Sequence, residues 1–365
     1  MTDTLQTISG GAPHDLIAYS WFVMGFRPRE SLVVVGLHGE RLRSGAVARL
    51  DLPHPLDGVR AAVSLADLLE RGGDDACLLM TVSDAPGAGP LLDDDGAMAH
   101  DELSCDVAEA LARCGFPVVD ALLVGPDAYR SYLCRDVACC PPAGLPLSAV
   151  MDSRVAATMV LDGRCVADDE SALVADVAPV EGAAPLVPAA GRPGRARRRA
   201  AFDRWCADLA AGAAHPARPE ELLAALRSRA LRDAVLATLV PGGRDAAEGY
   251  VAGRGVLRPW PADEVPPDED LLRRGERLLA AAARLAPEGD RAAPLAALGW
   301  LAWWSGQGVR ARLLVARALE DEAAHPLALL VGALVEHSVP PPWRETAAGV
   351  PAGAVALLGG SAPGG

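Results

Sequence analysis

Apolar positions change their period near the middle of the chain, and the change predicts two kinds of architecture. Over Pro13–Met24 they fall at Leu16, Ile17, Tyr19, Trp21, Phe22 and Val23, which predicts a helix more buried than amphipathic. Gly25-Phe26-Arg27-Pro28 ends it, because glycine disfavours helix and proline keeps its predecessor out of the helical region. Ser31–Leu37, with three consecutive valines, reads as a buried strand. His38-Gly39-Glu40 then turns the chain into an alternating run over Gly45–Leu52, so a hairpin is expected. A helix over Val59–Glu70, a strand over Ala76–Val82, a helix over Met98–Cys114 closed by Gly115 and a strand over Val118–Val124 follow. Strands separated by helices of this length need crossover connections. The first half is therefore expected to be an α/β domain, a mixed and partly parallel sheet with helices packed on it.

Beyond residue 200 the period is helical throughout. Leu222, Leu223, Leu226, Ala230, Leu231, Val235 and Leu239 predict one helix over Glu220–Leu239, stopped by Pro241-Gly242-Gly243. Further helices are expected over Asp270–Leu285, Ala292–Trp304, Val309–Glu322 and Pro326–His337. Gly299, Gly306, Ala311 and Ala318 follow at intervals of seven, five and seven, the small-residue positions of a tetratricopeptide-type helix pair. Ala302 and Val315 fill the slots where that motif carries large aromatics, and a single pair must pack on other helices of the chain. An all-α, tetratricopeptide-like C-terminal domain is thus expected. The organisation reads as an acidic α/β domain over 1–180, a Pro/Gly/Arg-rich linker over 181–200, a helical domain over 201–345 and a flexible tail over 346–365.

Charge sharpens this division. The 365 residues carry a net −14. Residues 1–180 hold 12 Arg against 27 Asp and Glu, a net of −15, whereas 181–365 hold 22 Arg against 21 acids, a net of +1. An acidic body repels a phosphate backbone, so nucleic-acid binding is not expected. The run RPGRARRR over 192–199 is either a solvated linker or a contact for an anionic partner. The acidic loop Ser83–Gly96, with Asp84 and Asp93-Asp94-Asp95, lacks the alternation of a calcium loop and reads as solvated. No Lys occurs in the chain, which excludes Schiff-base chemistry and a phosphate-loop lysine. There is no apolar stretch of membrane-spanning length, and the N-terminal MTDTLQTISGGAPHD lacks the basic start and apolar middle of an export signal. A cytoplasmic location without a membrane is expected.

Most of the eight cysteines sit in apolar runs, where reduced Cys behaves as a small core residue. Cys134, Cys139 and Cys140 differ, lying within seven residues of one another beside the turn Pro141-Pro142-Ala143-Gly144. Thiolate is the preferred ligand of zinc, but the spacing is not that of paired Cys-x2-4-Cys sites, and Cys-x-x-Cys is absent. A structural turn, a metal site and a reactive thiol all remain open readings. Arg49 and Asp51, two apart on a strand, share a sheet face as an internal ion pair or as a polar site. No Gly-x-Ser-x-Gly, Gly-x4-Gly-Lys or His-Glu-x-x-His motif occurs.

These segments together suggest a family. MGFRPRESLVVVGL running on to VARLDLP, then SYLC leading to CCPPAG, then VAATMVLDGR, then LGWLAWWSGQGVRARLLVARAL, resemble the actinobacterial domain-of-unknown-function family 4192 from about Pro13 to Pro342. The resemblance implies no activity, since the family has none established. It marks Gly25, Phe26, Pro28, Ser31, Arg49, Asp51, Cys134, Cys139, Cys140 and Pro141 as the positions of interest. The family's Ser-Arg-Glu after the Gly-Arg that matches Gly163-Arg164 is replaced here by Cys165-Val166-Ala167-Asp168-Asp169-Glu170. The leading expectation is a non-catalytic interaction or regulatory protein with a protein partner. The alternative is an enzyme or metalloprotein centred on Cys134, Cys139 and Cys140. No cofactor is predicted outright, and zinc is the ion that cluster suits.

Overall fold

The computed structural model describes residues 12–40, 42–84, 97–180, 194–254 and 265–343. Asp93-Asp94-Asp95, the segment 181–193 and the tail 346–365 lie outside the described residues. The chain divides into two compact units, Met1–Glu170 and Ser171–Gly365.

In the first unit, helix α1 (Pro13–Met24) leads through the Gly25 turn into strands β1 (Ser31–His38) and β2 (Arg43–Asp51). Helix α2 (Gly58–Gly72), β3 (Ala76–Val82), α3 (Asp101–Arg113) and β4 (Val118–Val124) follow. The short β5 (Ala128–Ser131), β6 (Leu145–Pro146), α4 (Ser148–Met151) and α5 (Arg154–Leu161) complete it. The six-stranded sheet has the order β2-β1-β3-β4-β5-β6. Only β3 and β4 run parallel, joined by the α3 crossover, and every other neighbouring pair is antiparallel. Central β1 and β3 are buried along their length, which is why they read as unbroken apolar runs.

Period-2 alternation splits the sheet's side chains between two cores. Leu32, Val34, Leu79 and Leu123 meet Leu65, Leu69, Val107 and Leu111 of α2 and α3. Val33, Val35, Met80 and Val124 meet Ile17, Trp21 and Phe22 of α1 and Val155 and Met159 of α5 on the opposite face. Where β1 bulges between Val35 and Leu37, the Asp74 carboxyl enters a space left by Gly36, Gly45 and Gly72. A Cβ at Gly45 would lie 1.8 Å from Asp74 Oδ1 and one at Gly36 2.0 Å from Oδ2, so a side chain at either position would displace the buried Asp74 carboxyl.

The second unit starts with a 3-10 stretch within Glu170–Val177, whose Val174 and Val177 belong to the helical core. Residues 171–180 therefore pack with the second unit rather than the first. The Arg310 guanidinium donates to the Leu173 carbonyl, Arg317 to that of Val174 at 2.8 Å and Arg291 to that of Val177 at 2.6 Å. Among the described residues eight helices follow: α6 (Arg195–Ala211), α7 (Pro219–Leu226), α8 (Arg229–Ala237), α9 (Arg244–Val251), α10 (Glu269–Leu285), α11 (Ala292–Trp304), α12 (Gly308–Asp321) and α13 (Pro326–Glu336).

Two expectations about this half need correction. The Arg-rich run is not linker to residue 200: α6 begins at Arg195, because Phe202, Trp205 and Leu209 bury one helical face and Arg199 pairs with Asp203 and Glu248. The single helix over Glu220–Leu239 is two helices. Ser228 is extended at its break (φ −88, ψ 115). Leu222, Leu223 and Leu226 fill the larger core, whereas Leu231, Ala234 and Ala237 fill a smaller one with Phe202 and Val251. At Gly299 a Cβ would stand 3.1 Å from Val315 Cγ2, so α11 and α12 approach where the small-residue spacing places a close contact.

Candidate functional site

The cysteine cluster lies on the loop between β5 and β6. Three fixed points shape that loop. The Ser131 hydroxyl donates to Asp120 Oδ1 at 2.6 Å and accepts the N–H groups of Leu133 and Cys134, both at 3.0 Å. Five residues on, the Asp136 carbonyl accepts the N–H groups of Cys139 at 3.2 Å and Cys140 at 2.7 Å, while its carboxylate accepts that of Ala138. Gly144, with φ +77, closes the loop by donating to the Pro141 carbonyl at 2.8 Å. The backbone N–H groups at all three cysteines are thus held from behind, and the side chains converge.

The three sulfurs lie within 4.8 Å of one another. Cys140 is buried, Cys134 half-buried and Cys139 exposed. Burial, followed by the adjacent Cys134 thiol, pushes the Cys140 thiol up to about 11, against a backbone N–H at Ser131 that favours its thiolate. A thiol so raised is a poor free nucleophile at neutral pH, whereas a metal ion displaces its proton directly. Beside the cluster, the buried Tyr129 hydroxyl meets His14 Nδ1 at 3.1 Å. Burial and the nearby Cys140, Asp15 and Cys139 raise its pKa.

Arg49, Asp51 and Ser31 form a separate network, and Gly25, Phe26 and Pro28 lie on the turn that leads into β1. Arg49 Nη2 pairs with Asp51 Oδ1 at 2.7 Å, Nη1 lies 3.4 Å from Glu170 and Nε donates to Ser31 Oγ at 2.9 Å. Arg49 and Asp51 do pair, but at the surface rather than internally, since the Asp51 side chain is 87% exposed, and Glu170 joins as a partner the sequence did not reveal. Gly25, with φ +82, caps α1 by donating to the Trp21 carbonyl at 2.7 Å. Phe26, 1% exposed, bridges Ala167, and Pro28 is buried. The segment 165–170, where the chain departs from the resemblance, is therefore what docks on the Gly25 turn. Arg49 and Asp51 lie on edge strand β2, four ladder steps or about 19 Å from β5 in the sheet order. The structure does not bring them together with the cysteines.

A third cluster escaped the sequence reading. At the end of β3 the Ser83 hydroxyl donates to Glu30 Oε1 at 3.2 Å and lies 3.0 Å from His100 Nε2, and the Asp84 N–H also reaches Glu30 at 2.6 Å. Glu30 (φ 39) and His100 (φ 57) both hold left-handed backbone, strain that the network must offset. Ser83 is fully buried between the Glu30 carboxylate and the His100 imidazole, so the arrangement locks strand end to helix start. No sequence motif links residues 30, 83 and 100.

The two units thus define a protein with a helix-covered mixed sheet, a loop-borne group of three thiols and a separate helical array. The family model "Domain of unknown function (DUF4192)" matches residues 13–342, and the chain belongs to that family. No curated protein and no solved structure matches the chain. Among the described residues, no helix is long and apolar enough to cross a membrane.

Proposed function

We propose that this chain is a non-catalytic interaction or regulatory protein, whose second unit offers a tetratricopeptide-like surface to a protein partner in the cytoplasm. One observation carries the reading. Helices α11, α12 and α13 pack as a closely approached array, and α13 turns Leu327, Ala328 and Val331 inward while Leu329 and Leu330, each 50% exposed, face away. A helical array with apolar residues on its outer face suits the capture of another apolar surface. The thiol convergence does not by itself support an enzyme. It fits zinc held as a structural clamp on the β5–β6 loop.

The test is site-specific photo-crosslinking from position 329 or 330 in cells, then direct binding of the identified partner to the purified full chain. Leu329→Glu with Leu330→Glu is expected to abolish that binding with helicity unchanged. A binding constant unaltered by the double substitution, or turnover of a metabolite by the purified chain, would overturn the reading.

A further inference from the structure

We infer that Arg130 is the counter-charge of a zinc-type centre formed by Cys134, Cys139 and Cys140, which rests on the structural-zinc part of the reading above. Arg130 sits on β5 and is 9% exposed. Its Nη1 donates to the Pro141 carbonyl at 3.3 Å and its Nε has no partner. Among the described residues, no carboxylate forms an ion pair with it. A guanidinium largely withdrawn from water, with the Pro141 carbonyl as its one hydrogen-bond acceptor among the described residues, gains from a nearby negative charge.

The loop it braces can supply that charge. When a divalent cation binds three thiols, three S–H bonds break, three protons leave to solvent and three metal–sulfur bonds form. A dication with three thiolates carries a net charge of −1. A tetrahedral site with metal–sulfur bonds of about 2.3 Å needs sulfurs about 3.8 Å apart. Sulfurs already within 4.8 Å reach this by a small contraction. Cys139 is exposed, so the fourth position opens to solvent and takes water. Arg130 reaches the centre through the Pro141 carbonyl, immediately after Cys140, and acts as a positioning and charge-balancing residue, not as a ligand.

The experiment uses the purified, reduced full-length chain, titrated with zinc against a chromophoric chelator and with cobalt as a spectroscopic probe of thiolate ligation. One zinc per chain is expected, lost in Cys139→Ser and Cys140→Ser and retained in Cys165→Ser. Arg130→Met is expected to weaken zinc by about tenfold while raising the melting temperature of the metal-free protein. Arg130→Lys, which keeps the charge, is expected to stay close to the parent. Absence of stoichiometric zinc, or zinc indifferent to the Cys139 and Cys140 substitutions, overturns the metal reading itself. Zinc bound at full affinity by Arg130→Met overturns only the role of Arg130. Should Arg130→Met not fold, a loss of zinc of about tenfold in Arg130→Lys, which keeps the charge, reduces Arg130 to a packing residue and likewise overturns it.

Discussion

Asp74 shows how one side chain couples three distant glycines. Its side chain is fully buried, Oδ2 accepts the Ala46 N–H at 3.3 Å, and the half-exposed His38 ring lies 3.6 Å from Oδ1. Burial raises its pKa above the ordinary 3.8, against the Ala46 hydrogen bond and His38. The folded state therefore holds the proton more tightly than the unfolded chain, so this group's stabilisation is complete below pH 3.8 and is lost as pH rises through the raised folded value. Stability of Asp74→Asn relative to the parent is expected to grow over that window, and chemical denaturation at a series of pH values reads it directly. A difference independent of pH would show that Asp74 is not strained by its charge. Gly45→Ala, which forces a Cβ against Oδ1, is expected to cost about 1–3 kcal/mol by urea unfolding, and a neutral outcome would refute the cradle. Residue-scale features differed in legibility for a plain reason. Arg49 and Asp51 share a face because the strand period is two, so their pair follows from spacing alone. Positions 36, 45, 72 and 74 meet only through sheet pairing and a bulge, and spacing holds no trace of it.

At the scale of elements, the parts visible in the sequence are those whose own burial writes the pattern. The bounds expected for α1, β3 and β4 match those observed, since each lies in a core-facing position between strong stops. Helix α6 was hidden because RARRR masks its apolar positions Phe202, Trp205 and Leu209, which emerge only from its second turn onward. The α7–α8 break was hidden because leucines serving two cores merge into one continuous helical period. The start of α13 is set by a histidine cap. The buried His325 Nδ1 accepts the Ala328 N–H at 3.3 Å, a role that needs the neutral ring. Burial lowers its pKa below 6.5. Its contribution is thus present above pH 6.5 and is lost as pH falls through the depressed folded value. His325→Asn, which keeps an acceptor without titrating, is expected to flatten this acid-side loss, whereas His325→Ala is expected to cost about 1 kcal/mol at neutral pH. Thermal melts between pH 4 and 8 distinguish the two. Equal acid sensitivity in His325→Asn and the parent would remove His325 from the account.

Over the whole molecule, charge and packing divide the chain at nearly the same place, for different reasons. The acids concentrate before residue 180, but the structural division falls after Glu170, because Val174 and Val177 enter the helical core and Arg291, Arg310 and Arg317 bind the carbonyls around them. Composition cannot locate such a boundary, since ten residues of shared polarity say nothing about which core receives two valines. Among the described residues each unit has two hydrophobic clusters of its own. Separate cores imply separate cooperative transitions. Scanning calorimetry of the full chain is therefore expected to resolve two. Gly45→Ala should lower one, while Trp304→Ala should lower the other by about 3–5 kcal/mol. Trp304 suits this purpose because it is fully buried and stacks on Trp300 at 5.6 Å. Its own indole N–H is buried without a partner, so Trp304→Phe is expected to recover much of what the alanine loses. A single transition displaced by both Gly45→Ala and Trp304→Ala would mean that the cores unfold as one.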